Sequence, residues 1–197
     1  YTNSFKEARF LRAYFYFNLV RAYGDVPYFT EMVTTDQVNS LTRTPAQEIF
    51  NAIIAECDKL STELPADYTK LGLDGIAPAE NGRVTCYAAL ALKARAALYA
   101  ASPLFNPENN KDLWRRAAEA NKEVIETCTA NGFKLSKYSE LWGPNNWSNN
   151  EMIFVRRYNG NISTLEEYNF PMGVPGGNSG NCPTQNMVDA YEMKATG

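Results

Sequence analysis

Histidine is absent from these 197 residues, and that absence removes whole classes of chemistry. Without imidazole there is no Ser-His-Asp triad, no Cys-His nucleophile pair and no histidine-bearing metal set. Cysteine is sparse: Cys57, Cys86, Cys128 and Cys182 stand far apart with no C-x-x-C spacing, so a zinc site would need all four thiolates from distant positions. The cysteines admit three disulfide pairings, and spacing does not choose among them. Cys57 and Cys128 fall on apolar faces of predicted helices, where cysteine serves as a small buried hydrophobe. Net charge is only −3 and Lys and Arg form no block, which argues against nucleic-acid binding. No apolar run approaches the roughly 20 residues needed to span a bilayer. Phosphate-cradling strings of the G-x-x-x-x-G-K-[ST] and G-x-G-x-x-G kinds are missing too. No cofactor or metal is expected.

What the chain does have is aromatic residues, 13% of the total, and their densest run is Phe5 to Pro27, FKEARFLRAYFYFNLVRAYGDVP. Read as a helix, this run carries three apolar rows: Ala8, Leu11, Phe15, Leu19 and Ala22; Ala13, Tyr16, Val20 and Tyr23; and Phe10, Tyr14 and Phe17. A helix apolar nearly all round is expected to be surrounded by neighbours. Arg9, Arg12 and Arg21 then need partners, for which carboxylates of adjacent helices are the candidates. Gly24 suits the left-handed position after the last turn, and Pro27 blocks continuation.

Further along, Thr44-Pro45-Ala46-Gln47 has the form of a capping box, and Ile49, Ile53, Cys57, Leu60 and Leu64 make one face of an amphipathic helix ending at Pro65. Gly72, Gly75 and Pro78 interrupt the segment Ala66 to Gly82, which reads as a loop. From Thr85 to Ser102 runs TCYAALALKARAALYAAS, with eight alanines and only Lys93 and Arg95 charged. Alanine has the highest helix propensity, and small residues at helical spacing let stacked helical hairpins approach closely. Asn109 or Asn110 caps the next helix, Asp112 to Ala130, whose inner row is Trp114, Ala117, Asn121, Val124 and Cys128, and Asn131-Gly132 stops it.

Beyond Phe133 the pattern changes. Met152 to Val155 is a short strand candidate, set between WGPNNWSNN and PMGVPGGNSGNCP, with a last short helix over Thr184 to Tyr191. The expected fold is mainly α: a single domain with tetratricopeptide-like helical hairpins over 1–132, and an irregular, loop-rich part over 133–197 containing the strand.

Three separated segments resemble one family. FLRAYFYFNLVRAYGDVPYFTE is similar to the signature helix of SusD/RagB-type proteins. GRVTCYAALALKARAALYAASPLFN followed by DLWRRAAEANKEVIE resembles their central helical hairpin. PTQNMVDAYEMK resembles a later segment, in the same order. The resemblance implies a nutrient-binding lipoprotein on the cell surface, lipid-anchored in the outer membrane. It would capture an oligosaccharide without chemistry and pass it to a SusC-type TonB-dependent transporter. The chain starts at Tyr1 and not at Met, and the expectation is an internal piece of a longer polypeptide. Its lipidated N-terminus and C-terminal half would then lie outside the piece.

The family's sugar contacts follow no fixed local motif, so the candidate site rests on residue chemistry alone. Aromatic residues set in polar loops present flat faces to a sugar ring, and neighbouring Asn side chains offer donors and acceptors to its hydroxyls. On that ground the candidates are Trp142, Asn145, Asn146, Trp147, Tyr168 and Asn178. Against this, a tryptophan beside a strand also plugs a core edge with its N–H satisfied locally. Two other functions stay open: a helical interaction scaffold that binds no sugar, and a glycoside hydrolase using a pair such as Glu166-Glu167 or Asp189 with Glu192. The hydrolase would require two carboxylates facing each other across a cleft.

Overall fold

Helix α4 (Cys86–Ala101) is enclosed on most sides, and its neighbours are arranged about it. The computed structural model describes residues 2–68, 82–142, 149–156 and 168–191, with the backbone alone at Thr2 and Trp142. Two compact units divide it, Tyr1–Arg156 and Arg157–Gly197. In the first, α1 (Thr2–Tyr23), the single turn α2 (Thr35–Val38), α3 (Ala46–Glu63), α4 and α5 (Lys111–Ala130) precede a 3-10 turn, Tyr138–Trp142. The second carries the short α6 (Gln185–Asp189). Mainly helical architecture is thus as expected, and residues 133–156 sit with the first unit.

Cross-helix bonds fix the order as successive antiparallel pairs. Arg9 of α1 reaches Glu56 and Glu63 of α3 at 2.7 Å each. Gln47 near the start of α3 donates to the carbonyls of Ala100 and Phe105 at the far end of α4. Asn121 of α5 donates to the Ala94 carbonyl of α4. Along α4, Ala88, Ala89, Ala94, Ala96, Ala97, Ala100 and Ala101 are all buried. Their small side chains let α3 and α5 pack against α4 from two sides. Lys93, whose side chain is only 15% exposed, is accommodated because Asp58 and Glu123 take its ammonium from either side at 2.5 and 2.8 Å. The inner face of α3 is as predicted, with Ile49, Ile53, Cys57, Leu60 and Leu64 buried. Phe50 and Ile54 are buried as well, because α3 contacts both α1 and α4. On α5, Leu113 takes the place expected of Trp114. The indole of Trp114 stays partly exposed and donates to Asn109.

The first helix departs from expectation. Phe10, Ala13, Phe17 and Val20 are buried against α3 and α4, but Leu11, Phe15 and Leu19 remain outside, with Phe15 64% exposed. The row Leu11-Phe15-Leu19 therefore lies on an open face among the described residues, not inside a ring of helices. The arginines do find partners: Arg12 lies 3.6 Å from Glu56, and Arg21 sits over the Phe17 ring.

The end of the signature helix is a connector. Gly24, at φ +69°, donates to the Val20 carbonyl and closes the last turn. Val26 is buried and forms an isolated antiparallel bridge with Thr44. Asp25 Oδ1 accepts from the Ala46 N–H at 2.8 Å, at the mouth of α3. The predicted Thr44–Gln47 capping box is thus not formed. Pro45 holds the cap position, Gln47 turns away to α4, and a carboxylate from another segment satisfies the orphan donor. Asn110, and not Asn109, caps α5, accepting from the Asp112 N–H. Gly132 closes α5 at φ +87°, as read. The predicted strand at Met152–Val155 is absent. Its neighbour supplies one backbone bond, Lys134 N–H to the Asn150 carbonyl, so there is no ladder, and Phe154 turns its ring onto Phe10 and Tyr14 of α1.

Asp25→Ala removes the donor's partner at α3 and is expected to cost about 1 kcal/mol, read as a lowered urea midpoint with unchanged slope. A second expectation concerns acid. Arg9, donating to Glu56, holds that carboxyl below its usual range against the upward push of burial. The folded value lies below the unfolded one, so the pair adds stability above the unfolded carboxyl range. That stability drains away as pH falls through the depressed folded value. Glu56→Gln should therefore be less stable than the parent chain near neutrality and converge on it in acid, measured by urea midpoints at stepped pH.

Candidate functional site

The sequence candidates divide between the two units. In the first, residues 133–137 and 149–152 come together through side chains. Ser136 donates from its backbone N–H to Glu151 Oε2 at 2.9 Å and from its hydroxyl to Asn149 Oδ1 at 2.6 Å, and Asn149 Oδ1 also accepts from the Glu151 N–H. With Phe154 packed on α1, this segment is fastened to the helical scaffold. Trp142 ends the 3-10 turn; its side chain, and all of Asn145, Asn146 and Trp147, lie outside the described residues.

In the second unit the structure brings two candidates, Tyr168 and Asn178, into one laced loop. The Asn181 N–H donates to the Tyr168 carbonyl and the Ser179 N–H to the Phe170 carbonyl, both at 3.0 Å. Between them the chain turns through Val174 N–H to Pro171 carbonyl and Gly177 N–H to Val174 carbonyl. The Met172 N–H is taken by Ser179 Oγ, and Asn181 Nδ2 donates to Asn169 Oδ1. Two glycines are required by close approach. A methyl group on Gly177 would lie 2.3 Å from the Pro171 carbonyl oxygen, and one on Gly180 would lie 2.3 Å from Cδ1 of Tyr168.

The Tyr168 ring therefore rests against bare backbone at Gly180, while 57% of the residue stays open to solvent. Asn178 is exposed on the same loop. Phe170, Met172 and Val174 add exposed apolar surface. Residue chemistry pointed to Tyr168 and Asn178. The supporting roles of Gly177, Ser179, Gly180 and Asn181 were missed, since only the fold shows which glycine faces which ring. The glycine clustering in PMGVPGGNSGN was the available signal.

The hydrolase candidates receive no geometry. Glu166, Glu167 and Glu192 lie outside the described residues, and Asp189 accepts from Gln185 within α6. Among the described residues no group of three His, Cys, Asp or Glu side chains is placed to hold a metal ion, and no helix is long and apolar enough to cross a membrane. A 410 Å³ groove not foreseen from sequence runs between α3, α4 and α5, lined by Ile54, Asp58, Lys93, Ala97, Arg116 and Glu119 among others. Its central cation is already neutralised by Asp58 and Glu123.

Antiparallel helical pairs packed on a small-residue seam, with irregular loops that carry apolar and amide groups, define a helical-scaffold fold. Comparison with known proteins agrees. The family model described as starch-binding and associating with the outer membrane, SusD-like, matches residues 3–98. Two SusD-like proteins of Formosa agariphila are 25% identical over 149 residues and 27% identical over 162, covering 75% and 80% of this chain. A crystal structure of a SusD-like protein of Bacteroides fragilis, 28% identical, superposes over 80% of this chain with a TM-score of 0.61. A SusD-like carbohydrate-binding protein of the same species, also 28% identical, superposes over 78% with 0.59. The chain is thus similar to SusD-like proteins in both sequence and fold. It spans 24% and 28% of the length of the two Formosa relatives.

Gly177→Ala is expected to unlock the laced loop, because the added carbon meets backbone and not a movable side chain. Limited proteolysis should cut within 168–181 faster in this variant than in the parent chain, whereas Asn178→Ala should leave the cutting rate unchanged.

Proposed function

We propose that this chain forms the scaffold and part of the ligand surface of a glycan-capturing protein. The observation that carries the reading is the Tyr168 ring, seated on the bare backbone of Gly180 with its remaining surface open, in a loop whose Asn178 is also exposed. A ring held in this way stacks on a sugar with little loss of side-chain freedom, and an amide beside it donates to one hydroxyl and accepts from another. Trp142, Asn145, Asn146 and Trp147 are proposed as further contacts. Supporting the reading are the family description and the carbohydrate-binding relative from Bacteroides fragilis.

In this proposal the whole protein sits at the cell surface on a lipid anchor, binds oligosaccharide without cleaving it, and hands it to a SusC-type TonB-dependent transporter. A second reading, a scaffold for a protein partner that binds no sugar, is favoured by the open row Leu11, Phe15 and Leu19 on α1.

Affinity electrophoresis through gels containing a panel of neutral polysaccharides, run with this chain and with the full-length polypeptide, separates the possibilities. Retarded migration without release of reducing ends is expected. Calorimetry on the retarding glycan should show Tyr168→Ala weakening binding roughly three- to tenfold, the scale of one lost aromatic stack. Release of reducing ends would replace the proposal with a hydrolase. Unretarded migration of the folded protein throughout the panel would leave the scaffold reading.

A further inference from the structure

We propose that Cys86 and Cys128 form an oxidisable pair that staples the α4–α5 hairpin at its open end. The argument begins with register. Asn121 Nδ2 donates to the Ala94 carbonyl, which sets these two residues at one level of the antiparallel pair. Cys86 lies eight residues before Ala94, about 12 Å along α4, and Cys128 lies seven residues after Asn121, about 10.5 Å along α5. The two cysteines therefore sit at the same level to within about one residue's rise.

Facing agrees with level. Cys86, Leu90, Ala94, Ala97 and Ala101 recur at spacings of four and three and share one stripe of α4. Ala117, Asn121, Val124 and Cys128 do the same on α5. Each cysteine is the terminal member of its stripe. Cys128 is buried, and Cys86 is half-buried and packed on the core. The alanines between the stripes bring the backbones close, which a disulfide demands, since its Cα atoms stand about 4.4–6.8 Å apart.

A ring contact places the ends together. The rings of Tyr87, next to Cys86, and Phe133, just past α5, meet at 4.8 Å. Burial pushes both thiols up, and charge on Cys86 raises Cys128 further.

The other cysteines are poor competitors for this pairing. Cys57 is buried in α3, its thiol pushed up to about 12 by burial. Cys182 lies in the other unit, exposed, with its sulfur on the Ser179 carbonyl. The location also makes mechanical sense. The closed end of the hairpin is already tied by the Ser102–Asn110 turn, where Asn106 bonds the Ala101 and Asn110 carbonyls and the Asn110 N–H. Among the described residues the open end is held by the Tyr87–Phe133 ring contact and not by a connecting turn, and a cross-link there constrains the unfolded chain over the whole hairpin.

With oxidised glutathione as oxidant, the Cys86 thiolate attacks one glutathione sulfur and displaces the other as thiolate. The Cys128 thiolate then attacks Cys86 Sγ and displaces the second glutathione. Both cysteine protons leave to solvent or the departing thiolates, and one glutathione disulfide is reduced for each bond formed.

The test uses a Cys182→Ser chain refolded in a glutathione redox buffer, so that a buried thiol is not kinetically shielded. Expected is a peptide pair joining Cys86 to Cys128 in the non-reducing digest, with Cys57 recovered as a free thiol. The urea midpoint should be higher in the oxidised form than in the reduced form, and this difference should vanish in Cys128→Ala. Recovery of Cys86 and Cys128 as free thiols, their pairing with Cys57, or a midpoint lowered by the cross-link would each overturn the proposal.

Discussion

The structure depends on how closely α3 and α5 approach α4. Alanine is what permits that approach: with Ala94, Ala96, Ala97 and Ala101 at 3% exposure or less, the middle helix behaves as a bare backbone rod. Larger side chains at these positions would push the outer helices apart and leave voids beside them, and overpacking of this kind commonly costs 1–3 kcal/mol. The same closeness explains Lys93. Its stem crosses the seam and its ammonium emerges between Asp58 and Glu123, so a cation in the middle of the apolar seam is paired on both sides.

Around that seam the aromatic first helix has a one-sided role. Phe10 and Phe17 bury their rings, and Phe17 meets both Phe50 of α3 and Tyr99 of α4 edge-on. Arg9 and Arg12 fix its register along α3 through carboxylates. The Gly24-Asp25-Val26 end then bonds forward into the start of α3. The most distinctive string of the sequence is therefore a joint between helices, and it specifies fold and not ligand.

The second unit obeys other rules. The loop that follows Tyr168 is held by its own cross-bonds and by glycines that admit close contact. Its shape is set by a few local approaches and does not depend on the spacing of the helical seam. A staple at Cys86 and Cys128 would act on the seam alone.

Sequence by itself determined α1, α3, α4, α5 and α6, though not the single turn α2, together with their order and most of their ends, because periodicity, alanine content, glycine at the stops and asparagine at the α5 cap are local properties. It also raised Tyr168 and Asn178 as candidates only, since an aromatic and an amide among polar residues are visible in a string. Tertiary structure alone decided which helix is central. Phe15 and Phe17 look alike as residues, and only the direction from which α3 and α4 arrive separates the exposed ring from the buried one. It likewise decided that Asp25, twenty-one residues away, caps α3, and that the apolar run Met152–Val155 finds no ladder to make it a strand. Each of these outcomes depends on a partner distant in sequence, and residue spacing carries no information about where such a partner will lie.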